Sequence, residues 1–219
     1  DQPLLEPPPG ATPLWDQVVV VGLFDDALDR TLIQQQILQQ IPQDAAATLT
    51  LAPLEEQDWV RAWMDDFHPM QFGERLWIVP SWSDPVDSDG VNILLDPGLA
   101  FGTGTHPTTA LCLQWLDAHP PQGKRVIDYG CGSGILAIAA AKLGATQVDG
   151  VDLDPQALIA TQDNAEKNQI TTINSFLPDK FPKAAKADLL LANILAGPLE
   201  ELAPMLSNHV ISGGAIVLS

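Results

Sequence analysis

The sequence contains few cysteines and no long apolar run, and these two shortages exclude several classes of protein. Only Cys112 and Cys131 occur in 219 residues, and neither their number nor their spacing matches a disulfide framework or a zinc site. No apolar stretch approaches the roughly 18 residues that a membrane-spanning helix needs. His68 and His106 stand apart from any cysteine or acidic cluster. We therefore predict no metal site and no membrane association, and we expect a reducing, cytoplasmic setting.

Basic residues are scarce as well. Lys and Arg number 10 against 28 Asp and Glu, a net charge of -18. Residues 1–90 hold 16 acidic and 3 basic residues, a net of -13, whereas residues 91–219 hold 12 and 7, a net of -5. An acidic surface repels nucleic acid phosphates and attracts basic partners, although it can also serve solubility alone. The asymmetry favours a basic protein partner held by the N-terminal part and argues against direct contact with nucleic acid.

The order of the predicted elements divides the chain into two domains and a linker. The first domain, residues 1–82, is predicted to be a small α+β domain of ferredoxin-like type that recognises the substrate, and we expect further chain before it. Ser83–Gly90 is polar and is predicted to be a linker. The elements predicted in the first domain are strands over Val18–Gly22, Thr48–Leu51 and Leu76–Val79 and helices over Leu28–Ile41 and Glu55–Phe67.

From residue 91 to residue 219, strands alternate with helices. This alternation is typical of a doubly wound, Rossmann-like parallel sheet, and we expect further strands after the last residue. Gly144 is expected to end one helix, and Asp154 is expected to cap the next. The predicted strands are Lys124–Gly130, Val148–Asp152, Leu189–Asn193 and Ala215–Leu218, and the predicted helices are Ile135–Leu143, Gln156–Asn168 and Pro198–Leu206.

A glycine-rich loop between a predicted strand and a predicted helix is the strongest chemical signal. Glycines allow the turn and let a ligand approach the backbone. The dinucleotide fingerprint requires a glycine where Ile135 stands, so the loop does not match it. An acid two residues ahead of the loop would repel a pyrophosphate but suits the ammonium and sulfonium groups of S-adenosylmethionine. A tight turn without a ligand is the alternative, and the predicted cofactor-binding residues here are Asp128, Gly130, Gly132 and Gly134.

Asp152 ends the strand after the glycine loop and lies 18 residues beyond Gly134. A carboxylate at this place can accept hydrogen bonds from both hydroxyls of a ribose. Asp154, two residues later, is better explained as a helix cap. The loop and Asp152 together predict a nucleoside-containing cofactor, without indicating the reaction.

Two further segments carry polar residues that suit a site. Residues 99–109 are rich in glycine and threonine and are predicted to form either a flexible lid or a turn before a helix, and His106 within them is a candidate for a general base. Asn193 ends a predicted strand, where its carbonyl could accept a hydrogen bond from a nucleophilic amine. An asparagine that merely ends a strand before a turn is the alternative.

Three stretches closely resemble the bacterial ribosomal protein methyltransferase family that modifies large-subunit protein eleven (L11). They are Leu95–Thr109, Asp128–Gly134 and Asn193–Ala196, and the resemblance extends over nearly the whole chain, including residues 59–69 and 72–82. It implies a class I S-adenosylmethionine-dependent methyltransferase fold behind a ferredoxin-like substrate-recognition domain. It also implies cofactor binding by Thr109, Gly130, Asp152 and Asn193.

We therefore predict methyl transfer from S-adenosylmethionine to lysine ε-amines or the N-terminal α-amine of a free, basic ribosomal protein, with Asn193 orienting the amine. The related amine methyltransferases carry Asn-Pro-Pro-Tyr, whereas Ile194, Leu195 and Ala196 follow the asparagine here, which argues against an adenine or glutamine substrate. Another amine substrate is the alternative. A nicotinamide-dependent oxidoreductase and a non-catalytic binding protein are the rival functions, and we expect a monomer.

Overall fold

The computed structural model describes residues 19–25, 27–53, 67–96 and 106–219. The chain forms two compact units, Asp1–Ala62 and Trp63–Ser219. Two sequence predictions lie outside the described residues: the helix over Glu55–Phe67, apart from its last residue, and the lid or turn at residues 99–105.

The described part of the first unit contains two helices, α1 (Arg30–Leu38) and α2 (Gln43–Ala46). The Asp29 carboxylate caps α1 by accepting the backbone N–H groups of Thr31 and Leu32 at 2.8 and 3.3 Å. The helix that the apolar period predicts is therefore confirmed in a shorter form.

Two strands predicted in this unit are wrong. Residues 19–22 are irregular, and Val19, Val20 and Val21 are at least 80% exposed. β-branched residues favour a strand only where a neighbouring strand packs against them. Thr48 lies in a turn, because its N–H and its hydroxyl both donate to the Ala45 carbonyl, at 3.1 and 2.9 Å. The ferredoxin-like arrangement of this region stays a prediction.

The second unit begins with a three-stranded sheet of β1 (Met70–Phe72), β2 (Leu76–Val79) and β3 (Val91–Leu94). β1 and β2 are antiparallel, and β2 and β3 are parallel. The strand predicted at β2 is confirmed, but it pairs with β3 instead of belonging to the first unit. The predicted domain boundary at residue 82 therefore differs from the boundary between Ala62 and Trp63. The polar segment 83–90, which has the composition of a linker, connects two neighbouring strands of one sheet.

The main sheet confirms the predicted doubly wound fold. Its five strands are all parallel and lie in the order β6-β5-β4-β7-β8. The order reverses between β4 and β7, and ligands of open α/β sheets bind at the carboxyl ends beside such a reversal. The sequence analysis did not predict β6, whose short run includes two polar residues. The strands are β4 (Arg125–Tyr129), β5 (Gln147–Val151), β6 (Ile173–Phe176), β7 (Ala187–Ala192) and β8 (Val210–Leu218).

Helices connect these strands and cover the sheet, and both predicted helix ends are confirmed. Asp154 caps α5 by accepting the Gln156 N–H at 2.9 Å. Gly144 follows α4 with a φ of 98°, a left-handed conformation that glycine adopts without steric cost. Within the described residues, no helix is long and apolar enough to cross a membrane. The helices are α3 (Pro107–Ala118), α4 (Ile135–Lys142), α5 (Pro155–Lys167) and α6 (Ala196–Asn208).

Candidate active site

The carboxyl ends of β4 and β7 bring the glycine loop and the Asn193 segment together. The strands are neighbours, with Asp128 opposite Leu191, so the residues that follow them lie at the same edge of the sheet. A Cβ atom added to Gly130 would collide with the Ile194 side chain. Glycine is therefore required at position 130 by this close contact as well as by its φ of 80°.

The glycine loop adopts a backbone that only glycine enters easily. Gly130, Gly132 and Gly134 have φ angles of 80°, 54° and 80°. The N–H groups of Gly130 and Cys131 both donate to the Val151 carbonyl, at 2.7 and 3.1 Å. The loop is thus held against the end of β5.

The carboxylate of Asp152 completes this attachment. One oxygen accepts the Gly132 N–H at 2.9 Å, and the other accepts the Asp154 N–H at 3.0 Å. Each carboxylate oxygen has more than one lone pair, so both can still accept a ribose hydroxyl. Asp152 is half-buried and follows the carboxyl end of β5. The role of Asp152 as the acceptor of the ribose hydroxyls stays a prediction, and this geometry is compatible with it.

Asp128 lies beneath the loop rather than at its surface. The residue is 1% exposed, and its Oδ2 accepts the Ala137 N–H at 3.0 Å. Gly134, which precedes α4, has no side chain to cap the helix, so the backbone N–H groups of the first turn need another acceptor. Asp128 accepts one of them, the N–H of Ala137. Burial raises the pKa of Asp128 to about 7; the Ala137 hydrogen bond opposes this rise, and the charge of Asp152 adds to it. The contact of Asp128 with the cofactor stays a prediction.

Two supporting residues on α5 were missed by the sequence analysis. The Thr161 hydroxyl donates to the Gly132 carbonyl at 3.0 Å, and the Asn164 amide donates to the Ser133 carbonyl at 2.9 Å. Both side chains are buried, on the same stripe of α5 as Ala157. Polar residues on the buried stripe of an amphipathic helix were the available signal, since buried polar groups need specific partners.

Asn193 and Thr109, both predicted site residues, contact each other directly. The Asn193 Nδ2 donates to the Thr109 Oγ1 at 2.9 Å across 84 positions of sequence. Thr109 is the third residue of α3 and is 1% exposed, whereas Asn193 is half-buried beside the glycine loop. The amide of Asn193 is therefore held in place by the helix that follows the glycine- and threonine-rich segment.

His106 has a structural explanation. It caps α3, with its Nδ1 accepting the Thr108 N–H at 3.3 Å and lying 2.6 Å from the Thr108 hydroxyl. This geometry favours the helix-start interpretation at residues 106–109. A general-base role for His106 stays a prediction, because this contact engages Nδ1 and a base could act through Nε2.

The site fits S-adenosylmethionine. Its glycines allow the positive-φ turn of the loop, and the half-buried carboxylate of Asp152 beside the loop suits a cationic cofactor better than a pyrophosphate. The sheet order, the glycine loop and the strand-end acid define a class I methyltransferase, and S-adenosylmethionine is its cofactor. The sequence model of the ribosomal protein L11 methyltransferase (PrmA) family matches residues 1–219. The chain belongs to this family, and the resemblance found in the sequence is confirmed.

Individual relatives agree with this assignment. The ribosomal protein L11 methyltransferase of Klebsiella pneumoniae (strain 342) is 56% identical over 220 residues, which cover all of this chain and 75% of the relative. The corresponding protein of Escherichia coli (strain SMS-3-5 / SECEC) is 56% identical over 221 residues, with the same coverage. The crystal structure of the ribosomal protein L11 methylase of Lactobacillus delbrueckii subsp. bulgaricus is 39% identical, with a TM-score of 0.62, and the match covers 70% of this chain and 80% of that one.

Proposed function

We propose that this protein transfers methyl groups from S-adenosylmethionine to lysine ε-amines or the N-terminal α-amine of ribosomal protein L11. The names of its relatives support ribosomal protein L11 as the substrate. One observation supports an amine as the methyl acceptor. It is the hydrogen bond between Thr109 and Asn193 beside the glycine loop. It engages the amide nitrogen of Asn193 and so leaves the amide oxygen available to accept an amine N–H.

The residues of the chain have two tasks in this reaction, namely to hold the cofactor and to align the amine. Gly130, Gly132 and Gly134 form the cradle, and Asp152 accepts the ribose hydroxyls. S-adenosylmethionine supplies a methyl group that is already activated on its sulfonium. The protein therefore contributes mainly alignment and the exclusion of water, which is a large effect when reacting atoms are held in line.

The amine must lose a proton before it can attack. A lysine has a reference pKa of about 10.4, so it is mostly charged at neutral pH. Partial burial in the crevice disfavours the charged form, and Asn193 as an acceptor orients the remaining N–H groups. We assign the proton to water, because among the described residues none lies in the crevice as an evident base.

The acidic N-terminal part suits a basic substrate protein. Residues 1–90 carry a net charge of -13, which attracts a positively charged partner over several ångströms in dilute salt. We propose that residues 1–82 recognise L11, while residues 91–219 carry the chemistry.

The test is to incubate the purified protein with methyl-labelled cofactor and a total ribosomal protein extract. We expect the label in L11, and peptide mass spectrometry should place it on lysine or N-terminal amines. Asn193→Ala provides the control for background labelling. Label in a different protein would favour the alternative amine substrate, and label on oxygen or carbon atoms would overturn the assignment to amines.

A further inference from the structure

We propose that Thr161 and Asn164 of α5 are positioning residues for the amino-acid end of S-adenosylmethionine. They act through the backbone of the glycine loop, which they hold in one conformation, and not by contact with the cofactor. The inference rests on the proposed cradle of Gly130, Gly132 and Gly134, but not on the identity of the methyl acceptor.

Both side chains fix the direction of a loop carbonyl. The Thr161 hydroxyl donates to the Gly132 carbonyl at 3.0 Å, and the Asn164 amide nitrogen donates to the Ser133 carbonyl at 2.9 Å. Thr161 is 0% exposed and Asn164 is 9% exposed, so water cannot readily replace either bond. A backbone carbonyl only accepts hydrogen bonds, so the nitrogen of the Asn164 amide, and not its oxygen, must face the loop.

The direction of these carbonyls matters because a peptide group is planar and its N–H and C=O point to opposite sides. Fixing one carbonyl therefore also fixes the N–H of the residue that follows. The amino-acid end of the cofactor carries an ammonium, which donates hydrogen bonds, and a carboxylate, which accepts them. Its binding depends on which backbone groups the loop turns toward it, whereas the ribose is assigned to Asp152.

The loop has little rigidity of its own, because glycine is the residue with the greatest backbone freedom. The helix supplies the missing constraint by packing directly against the loop. A Cβ atom added to Gly134 would lie 2.9 Å from the Thr161 Cγ2 and 3.1 Å from the Thr161 Cα. The loop is thus held from beneath by a regular helix, the kind of support that keeps a binding site in its productive geometry.

Asn168 provides a comparison on the same side of the helix. It lies four residues after Asn164, at the end of α5, and is 7% exposed. Its amide accepts the Leu94 N–H at 2.8 Å and donates to the Leu94 carbonyl at 2.7 Å, so it binds β3 and not the glycine loop. Replacing either asparagine removes a buried amide from α5, but only Asn164 contacts the loop.

The test compares the affinities of two thioether ligands by calorimetry. S-adenosylhomocysteine carries the amino-acid end, and methylthioadenosine lacks it. We expect Asn164→Ala to lower the affinity for S-adenosylhomocysteine by about 10-fold and the affinity for methylthioadenosine by less than about 2-fold. Asn168→Ala is the matched control. It should leave both affinities near wild type, although both variants should lower the midpoint of thermal unfolding.

A second pair of variants repeats the test with a smaller change. Thr161→Val removes the hydroxyl and keeps the shape of the side chain, and Thr161→Ser restores the hydroxyl. We expect the same selective loss of affinity in the valine variant and its recovery in the serine variant. Equal losses for the two ligands, no loss for either, or the same selective loss in Asn168→Ala would overturn the inference. These measurements need no methyl acceptor, so a wild-type protein that labelled no amine would contradict the proposed function alone.

Discussion

The two segments of the candidate site, the glycine loop and the Asn193 segment, are held in different ways. The glycine loop receives support from three elements: the Val151 carbonyl of β5, the Asp152 carboxylate after it, and Thr161 and Asn164 of α5. On the opposite side, Asn193 is anchored by its bond to Thr109.

The segment after Asn193 is also more open than the loop. Leu195, which precedes α6, provides no side-chain cap for the helix and is 66% exposed. The glycine loop is therefore held by several independent hydrogen bonds, whereas the segment at Asn193 and Leu195 is held by fewer and is more exposed. A single substitution should reduce the methylation rate most where one hydrogen bond alone holds a residue in place.

The largest effect is expected from Asn193→Ala. The substitution removes the acceptor for the amine and the partner of Thr109, and we expect the single-turnover methylation rate to fall by about 10²-fold or more. Cofactor affinity should fall less, and the fold should survive because the residue lies at a strand end. Asn208→Ala, at an exposed asparagine in α6, is the matched control. A lower melting temperature with a rate near wild type would show that Asn193 only shapes the turn.

On the cofactor side, Asp152→Ala should weaken S-adenosylmethionine binding by about 1–3 kcal/mol, the cost of losing hydrogen bonds to a charged group. Calorimetry measures this directly. Asp154→Ala serves as the control, because Asp154 caps α5 and should affect stability more than affinity. Unchanged affinity in the Asp152 variant would contradict the ribose role.

Beneath the loop, Asp128→Asn should change how stability depends on pH. The pKa of Asp128 is raised from 3.8 to about 7 in the folded protein, so its contribution to stability is fully present below about pH 4 and is lost as pH rises to about 7. Asparagine does not titrate. The free energy of unfolding of the variant relative to wild type should therefore increase between these pH values, on the order of 4 kcal/mol over the whole range, and then level off. Denaturant titrations at pH 5 and pH 8 measure it, and a difference independent of pH would show that Asp128 stays ionised.

The smallest effect concerns the charged N-terminal part. Raising the ionic strength from about 0.05 M to about 0.5 M shortens the range of electrostatic attraction several-fold. We expect the KM for the basic protein substrate to rise several-fold, while the cofactor dissociation constant changes little. Equal salt dependence of the two constants would remove the case for charge-based recognition by residues 1–90.

Features that depend on neighbours in the chain were predictable. The glycine loop, the Asp154 cap and the left-handed Gly144 follow from conformational preferences within a few residues, and all three appear in the structure. The alternation of strands and helices along the chain also predicted the parallel sheet, because strands joined by helices pair in parallel. The strand predicted over residues 18–22 is absent from the described residues 19–22, because β-branched residues need a partner that local sequence does not specify.

The sequence by itself determined the class of fold, the glycine loop and the acid after β5, because each is a local pattern with a local physical cause. Only the tertiary structure decided that β2 pairs with β3, that Asp128 supports α4 from below, and that Thr109 holds Asn193. These relations join residues that are far apart in the chain or whose side chains could point elsewhere. They depend on which elements the packing of the core brings together, and no short stretch of sequence contains that information.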